Sequence, residues 1–326
     1  MDPIIERYVD SLEMGRIRVF KNMGVIPLFA SLDESPEYFT LKEALEKDVL
    51  KVSEVSQSGS VPELKVANSA EIPVLLLDGE ELVGAKQNRV LNTTILVKEK
   101  SETVIPVSCT EQRRWAYVSD KFQESGTVMT PKLRATKAQT VASSLESSRQ
   151  YRSDQGTVWD TIHHLSADAE VRSETGAMRD VFEAKKKDLD GFIENFKSEP
   201  RQKGLFVFLN GEIVGFDFIS SDRAYRVLHD KLVKSYAMEA LLEKPELLPA
   251  PDPASARAFL EETKACAEKK YESVGKGWDY RFEGKSIVGS GLAVDKKVIH
   301  LAFFRVTESE KAGGMAELKR RKGFRI

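Results

Sequence analysis

The chain has only two cysteines, Cys109 and Cys266, in 326 residues. Two distant thiols cannot build a disulfide scaffold, and they are too few for a cysteine zinc cluster. Histidine is almost as scarce. His163, His164, His229 and His300 match no metal-ligand spacing, and neighbouring helical positions such as His163 and His164 face different directions. No apolar run approaches the roughly 20 residues of a membrane span. The opening MDPIIERYVDSLEMG carries charge where a secretory signal needs an apolar segment. Neither sign of charge dominates, with 49 basic and 51 acidic residues, so nothing pulls the whole chain toward nucleic acid or an anionic membrane. A cytoplasmic protein is expected, with membrane and nucleic acid disfavoured as partners.

Hydrophobic residues make up 41% of the chain and charged residues 31%, enough to build a sizeable core and to argue against disorder. At about 150 residues per domain the length suggests two or so units. Asp2-Pro3 predicts a helix start, after which RIRVF, VIPLF, KVSEV, ELKVAN, IPVLLL, TTILV and TVIPVSC read as short strands. TLKEALEK interrupts them as a short helix. Residues 1–130 are therefore expected to form an antiparallel β-rich sandwich or barrel. Residues 131–203 form a helical segment, in which Thr175 would cap a helix carrying Met178, Phe182, Leu189, Phe192 and Phe196 on one face. Residues 204–306 open on a hairpin signal at Asn210-Gly211, continue through two helices and end in a three-strand meander. The fold class is α+β, with an antiparallel C-terminal sheet covered by helices on one face. Residues 307–326, rich in Lys and Arg, are expected to be a solvated, disordered tail.

Three polar stretches attract chemistry. DGEELVGAKQNRVLNTT (78–94) supplies Asp78, Glu81, Lys86, Gln87, Asn88, Arg89 and Asn92 directly after an apolar strand. Amides donate and accept, whereas Lys and Arg only donate, a mixture that suits an anionic ligand needing several donors. CTEQRRW (109–115) places Glu111 and Gln112 at a strand end, while Trp115 is expected chiefly to close the core. YRSDQGTVWD (151–160) brings Tyr151, Arg152, Asp154 and Gln155 to a helix N-terminus, where an anion is favoured and where Ser153 or Asp154 could equally serve as the cap. Cys109 is expected to be a small buried apolar residue and His300 a satisfied core or edge histidine.

SGSVPEL (58–64), LLLDGEELVGAKQNRVLNTTILV (75–97), IPVSCTEQRRW (105–115) and YRSDQGTVWD (151–160) resemble the prokaryotic domain family named for its association with ADP-ribosylglycohydrolases and rhodanese-phosphatases. The resemblance spans about residues 5–304. It implies an intracellular domain working near ADP-ribose or phosphate-ester metabolism and carries no assigned catalytic residues.

The expected function is to bind, and conceivably hydrolyse, a phosphate- or ribose-containing small molecule. Lys86, Arg89 and Arg152 would meet the anion. Gln87, Asn88, Asn92, Gln112, Trp115, Tyr151 and Gln155 would read the rest. Asp78, Glu81, Glu111 or Asp154 would act as base. Magnesium is compatible with these carboxylates, but no ligand spacing demands it. The alternative is a non-enzymatic interaction or scaffold protein, a homo-oligomer among the options, whose polar motifs are inter-domain or subunit contacts.

Overall fold

Local chemistry accounts for the first elements of the computed structural model, which describes residues 1–32, 35–245 and 252–307. The Asp2 carboxylate caps α1 (Pro3–Asp10) by accepting the Ile4 N–H at 2.9 Å, and Pro3 occupies a position that needs no donor. Three short strands follow, β1 (Leu12–Met14), β2 (Arg18–Phe20) and β3 (Met23–Ala30). β4 (Phe39–Thr40) leads into α2 (Leu41–Glu46), opened by a capping box in which Thr40 and Glu43 bond each other's backbone N–H.

The β-rich stretch continues through β5 (Leu50–Glu54), β6 (Glu63–Asn68), β7 (Val74–Leu76), β8 (Glu80–Gly84), β9 (Arg89–Leu91), β10 (Ile95–Val97), β11 (Ser101–Cys109) and β12 (Phe122–Val128). Six of these strands form a curled half-barrel in the order β12-β8-β9-β11-β6-β5, antiparallel throughout. Its interior holds Leu50, Val52, Leu64, Val66, Leu82, Leu91, Val107 and Phe122. β7 and β10 lie between this interior and the main core, with β4 beside them in a three-stranded sheet. Val74 and Leu76 face the half-barrel, whereas Leu75 and Leu77 face the main core. A strand buried on both faces has no solvent side on which to alternate, which explains the unbroken apolar run IPVLLL.

The helical segment comprises α3 (Pro131–Ser148), α4 (Gln155–Asp168), α5 (Met178–Ala184) and α6 (Lys186–Asn195). The single helix expected from Thr175 is two: it begins after Ala177 and breaks at Lys185, although Met178, Phe182, Leu189, Phe192 and Phe196 all enter the main core.

β13 (Gly204–Leu209) and β14 (Glu212–Ile219) form the hairpin predicted at Asn210-Gly211, whose φ values of 46° and 80° are the left-handed pair a tight two-residue turn requires. Helices α7 (Asp222–Leu242) and α8 (Pro253–Lys264) precede β15 (Ala267–Glu272) and the meander β16 (Trp278–Glu283), β17 (Ile287–Val294) and β18 (Lys297–Arg305).

β3 pairs with β13 through Met23–Leu28, so β1–β3 join the C-terminal strands in one nine-stranded antiparallel sheet rather than the N-terminal β unit. Helices cover both faces of this sheet, not one. α1 and α8 supply Ile5, Tyr8, Phe259 and Leu260 to the phenylalanine-rich face of Phe206, Phe216 and Phe303. The opposite face packs on residues of α3 through α7, among them Leu133, Met178, Phe192 and Tyr236. The basic tail lies outside the described residues from 308 onward.

Candidate functional site

The polar segment after β7 is buried almost completely. Asp78, Glu80, Glu81, Gln87, Asn88, Arg89 and Asn92 are each less than one-tenth exposed. Burying so many ionisable groups requires partners, and α3, α7 and the large sheet provide most of them. Asp78 pairs with Lys137 and, at 3.4 Å, with Arg134, both from α3. Arg134 also grips Asp217 of β14 with two bonds of 2.7 and 2.9 Å, while the Tyr236 hydroxyl donates to the same carboxylate at 2.9 Å. Burial alone would raise the Asp217 carboxyl, but the Arg134 charge and the bonds from His300 and Arg134 hold it below the ordinary range. Asp78 is likewise lowered, with burial outweighed by Lys137 and Arg134.

Thr94 connects this centre to β18. Its hydroxyl accepts the Asp78 N–H at 3.0 Å and reaches His300 Nδ1 at 2.8 Å. The ionised Asp217 carboxylate can only accept, so His300 Nε2 carries a proton toward Asp217 Oδ1 at 3.2 Å. Next to it, Thr93 donates to Asp279 at 2.6 Å and accepts from Arg281, which holds Asp279 with bonds of 2.6 and 2.9 Å. Residues 78–94 are thus pinned to the large sheet at three points. His300 is the satisfied core histidine expected of it.

The other expected carboxylates also have partners, although Glu81 Oε2 is buried with no hydrogen bond to a described residue. Glu81 accepts from Thr110 at 2.6 Å, and burial raises its carboxyl to about 7. Glu111 accepts the Asn88 N–H at 3.2 Å and is bound by Arg114 at 2.6 and 2.8 Å; burial pushes its carboxyl up, but the bonds from Arg114, Thr175 and Asn88 together lower it. Asp154 caps α4 by accepting the Thr157 N–H at 2.8 Å. Gln155 spans the edge of β11, accepting the Cys109 N–H at 2.7 Å and donating to its carbonyl at 2.9 Å. Asn92 donates to the Tyr151 carbonyl at 2.9 Å, and Ser108 bonds both Asn92 and Ser153. The 78–92 and 151–160 segments therefore meet through Asn92, Ser108, Tyr151 and Ser153, with the polar atoms at that contact paired. Arg152 is exposed and stands apart.

A second group lies on the other side of the half-barrel sheet. Adjacent residues of a strand point to opposite faces. Ser108 pairs with Val90, which enters the main core, whereas Cys109 pairs with Arg89, whose face also carries Leu91 of the half-barrel interior. Arg89 thus sits at the mouth of the half-barrel, fully buried. Its Nη1 donates to Gln87 Oε1 at 3.2 Å, but Nε and Nη2 have no hydrogen-bond partner among the described residues. The nearest carboxylate oxygen is Glu54 Oε1 at 3.8 Å, and Glu54 Oε2 is buried without a partner as well. Gln87 Nε2 donates to the Gln112 carbonyl at 3.4 Å. The Cys109 thiol, pushed by burial to about 11, stays protonated at neutral pH and makes only a 3.9 Å contact with the Val61 carbonyl.

Two loops close the mouth. The Lys86 ammonium donates to the Ser58 carbonyl at 2.7 Å and lies 5.3 and 5.0 Å from the ring centres of Trp115 and Tyr117. The Tyr117 hydroxyl donates to the Gln57 carbonyl at 3.3 Å. Trp115 does not close the core as expected: it is 46% exposed and forms an aromatic rim with Tyr117. Lys86, Gln87, Arg89 and Trp115 come together here, with Gln112 contributing its backbone carbonyl. Asp78, Asn92, Tyr151, Arg152, Asp154 and Gln155 do not.

Glu54 is the mouth residue that sequence reading missed. KVSEV offers no local signal, because Glu54 matters only through the loop that brings β5 opposite β9. Arg134, Lys137, Asp217, Asp279 and Arg281 were also missed. Their signal was legible: charges on the apolar stripe of a helix, or within strands such as GFDFI, demand buried partners.

Among the described residues no group of three or more His, Cys, Asp or Glu is placed to hold a metal ion. None of the described helices is long and apolar enough to cross a membrane. No curated protein and no solved structure matches the chain significantly. The sequence model for the ARG and rhodanese-phosphatase-superfamily-associated protein domain does match, over residues 11–304, and the chain therefore belongs to that family.

Proposed function

We propose that the protein binds a small anionic molecule, phosphate- or ribose-containing, at the mouth of the half-barrel. The observation that carries this reading is Arg89, a fully buried guanidinium with two unpartnered nitrogens beside an unpartnered carboxylate oxygen of Glu54. A buried charge left without hydrogen bonds costs several kcal/mol by general experience, about 1–3 per unmade bond and more for an ion. An oxyanion on Nε and Nη2 would satisfy that guanidinium in the forked geometry it favours. The Gln87 amide lies alongside, and the exposed rings of Trp115 and Tyr117 offer a surface on which a base or sugar can stack. Entry requires the Lys86–Ser58 and Tyr117–Gln57 contacts to part. Should the ligand be hydrolysed there, Glu54 is the carboxylate beside Arg89 that could serve as base.

Titration calorimetry with ADP-ribose, NAD, AMP, ribose 5-phosphate and inorganic phosphate tests the proposal. At least one is expected to bind, and Trp115→Ala and Lys86→Ala to weaken it at least tenfold without moving the unfolding midpoint. Failure of all five to bind would overturn it. A second reading, a non-enzymatic interaction protein, is supported by the mutual burial of segments 78–92 and 151–160 and by the pairing of their charges within the chain. A stable oligomer by light scattering, together with no ligand binding, would favour it.

A further inference from the structure

A groove of about 250 Å³ runs between α3 and the strands β15–β17. Its helical wall carries Thr136, Gln139 and Ser143, and its floor is formed by Arg281, Val288 and Gly289. Arg281 is 5% exposed, and its hydrogen bonds are unevenly distributed. Nε bonds Asp279, and Nη2 bonds Asp279 and Thr93. Nη1 makes no hydrogen bond to any described residue, yet it is not among the sealed-off buried atoms, and Arg281 lines the groove. Asp279 therefore fixes the guanidinium in place while one of its donors is offered to the groove.

We infer that this groove is a second binding site, taking a small monocarboxylate with an apolar body. The carboxylate would accept from Arg281 Nη1, and the Gln139 amide and the Thr136 and Ser143 hydroxyls can supply further donors. Ala138, Ala142, Val288 and Gly289 leave an apolar lining for the body of the ligand. The rim selects against highly charged anions. Glu146 and Glu283 both border the groove, and the one lysine there, Lys269, is already paired with Glu146. A di- or triphosphate would be repelled by those carboxylates, whereas a single negative charge on Arg281 would be tolerated.

The test follows backbone amide shifts of the full chain during titration with benzoate, butyrate and inorganic phosphate. Benzoate or butyrate is expected to shift the amides of Gln139, Ser143 and Gly289 saturably, with a Kd of about 1 mM or tighter. Ser143→Trp, a substitution at an exposed position that fills the groove and leaves Arg281 intact, is expected to abolish those shifts. Thr136→Ala is expected to weaken binding severalfold while leaving the fold unchanged. Absence of saturable shifts with both carboxylates, equal binding by Ser143→Trp, or preferential binding of phosphate would each overturn the inference. The half-barrel ligand, if present, would shift Trp115 and Gln112 instead, so the two sites are separately read out.

Discussion

Glu81 and Asp217 are both buried carboxyls, yet their surroundings push them in opposite directions. Asp217 faces Arg134, the Tyr236 hydroxyl and His300 Nε2–H, so its charge is welcomed. Glu81 has the Thr110 hydroxyl and little countercharge, so burial prevails and raises it from 4.5 to about 7. Between those two values the native protein holds a proton that the unfolded chain has released, so stability falls as pH rises through that window and levels off above it. Glu81→Gln keeps an acceptor for Thr110 and removes the titration. Urea unfolding at pH 5 and pH 8 should show the variant losing much less stability than the parent between the two. The parent's drop from Glu81 is at most ~3 kcal/mol. Glu239, raised by burial to about 7, adds a drop of the same sign in both proteins. Arg134→Met is expected to cost about 3–5 kcal/mol, because it strands Asp217 and deprives Asp78 of a partner. A loss below about 1 kcal/mol in the same unfolding experiment would mean that the network relaxes around the missing charge.

Elements explain why some readings of the polar segments succeeded and others did not. A cap is a local interaction, so Asp154 at the head of α4 was legible from a few residues of sequence, whereas the equally local capping box of Thr40 and Glu43 at α2 went unread. Asp154→Ala is expected to lower stability by about 1 kcal/mol and Asp154→Ser to restore most of it, since either oxygen accepts the Thr157 N–H. If ligand binding falls with Asp154→Ser while stability is kept, Asp154 has a role beyond the cap. The break at Lys185 was not legible, because the apolar stripe continues across it. Arg89 shows the same limit from the other side. Its position in a polar run suggested an anion contact, but only the curl of β9 against β5 placed it at a mouth beside Glu54.

On the scale of the molecule, the two large sheets share one buried polar centre and depend on each other. β3 pairs with β13, and residues 78–94 of the half-barrel are bonded to Arg134, Asp279 and His300. A fragment of residues 1–130 would expose Asp78, Thr93 and Thr94 without partners and leave β3 without its neighbour β13. It should show no cooperative thermal transition by circular dichroism, whereas the full chain should unfold in one. A cooperative transition in the fragment would show the half-barrel to be an independent unit.

The amino-acid sequence by itself determined the caps at Asp2 and Asp154, though not one at Thr175, together with the Asn210-Gly211 turn, the alternation of short strands and membership of the family, because each depends on residues near one another along the chain. Tertiary structure decided which strands share a sheet and which charges neutralise which. Arg134 and Asp217 are 83 residues apart and find each other only when burial makes an unpaired charge costly. The same collective desolvation enclosed most of a polar segment in the interior and left Arg89 beside Glu54 at the half-barrel mouth, where a ligand can complete it.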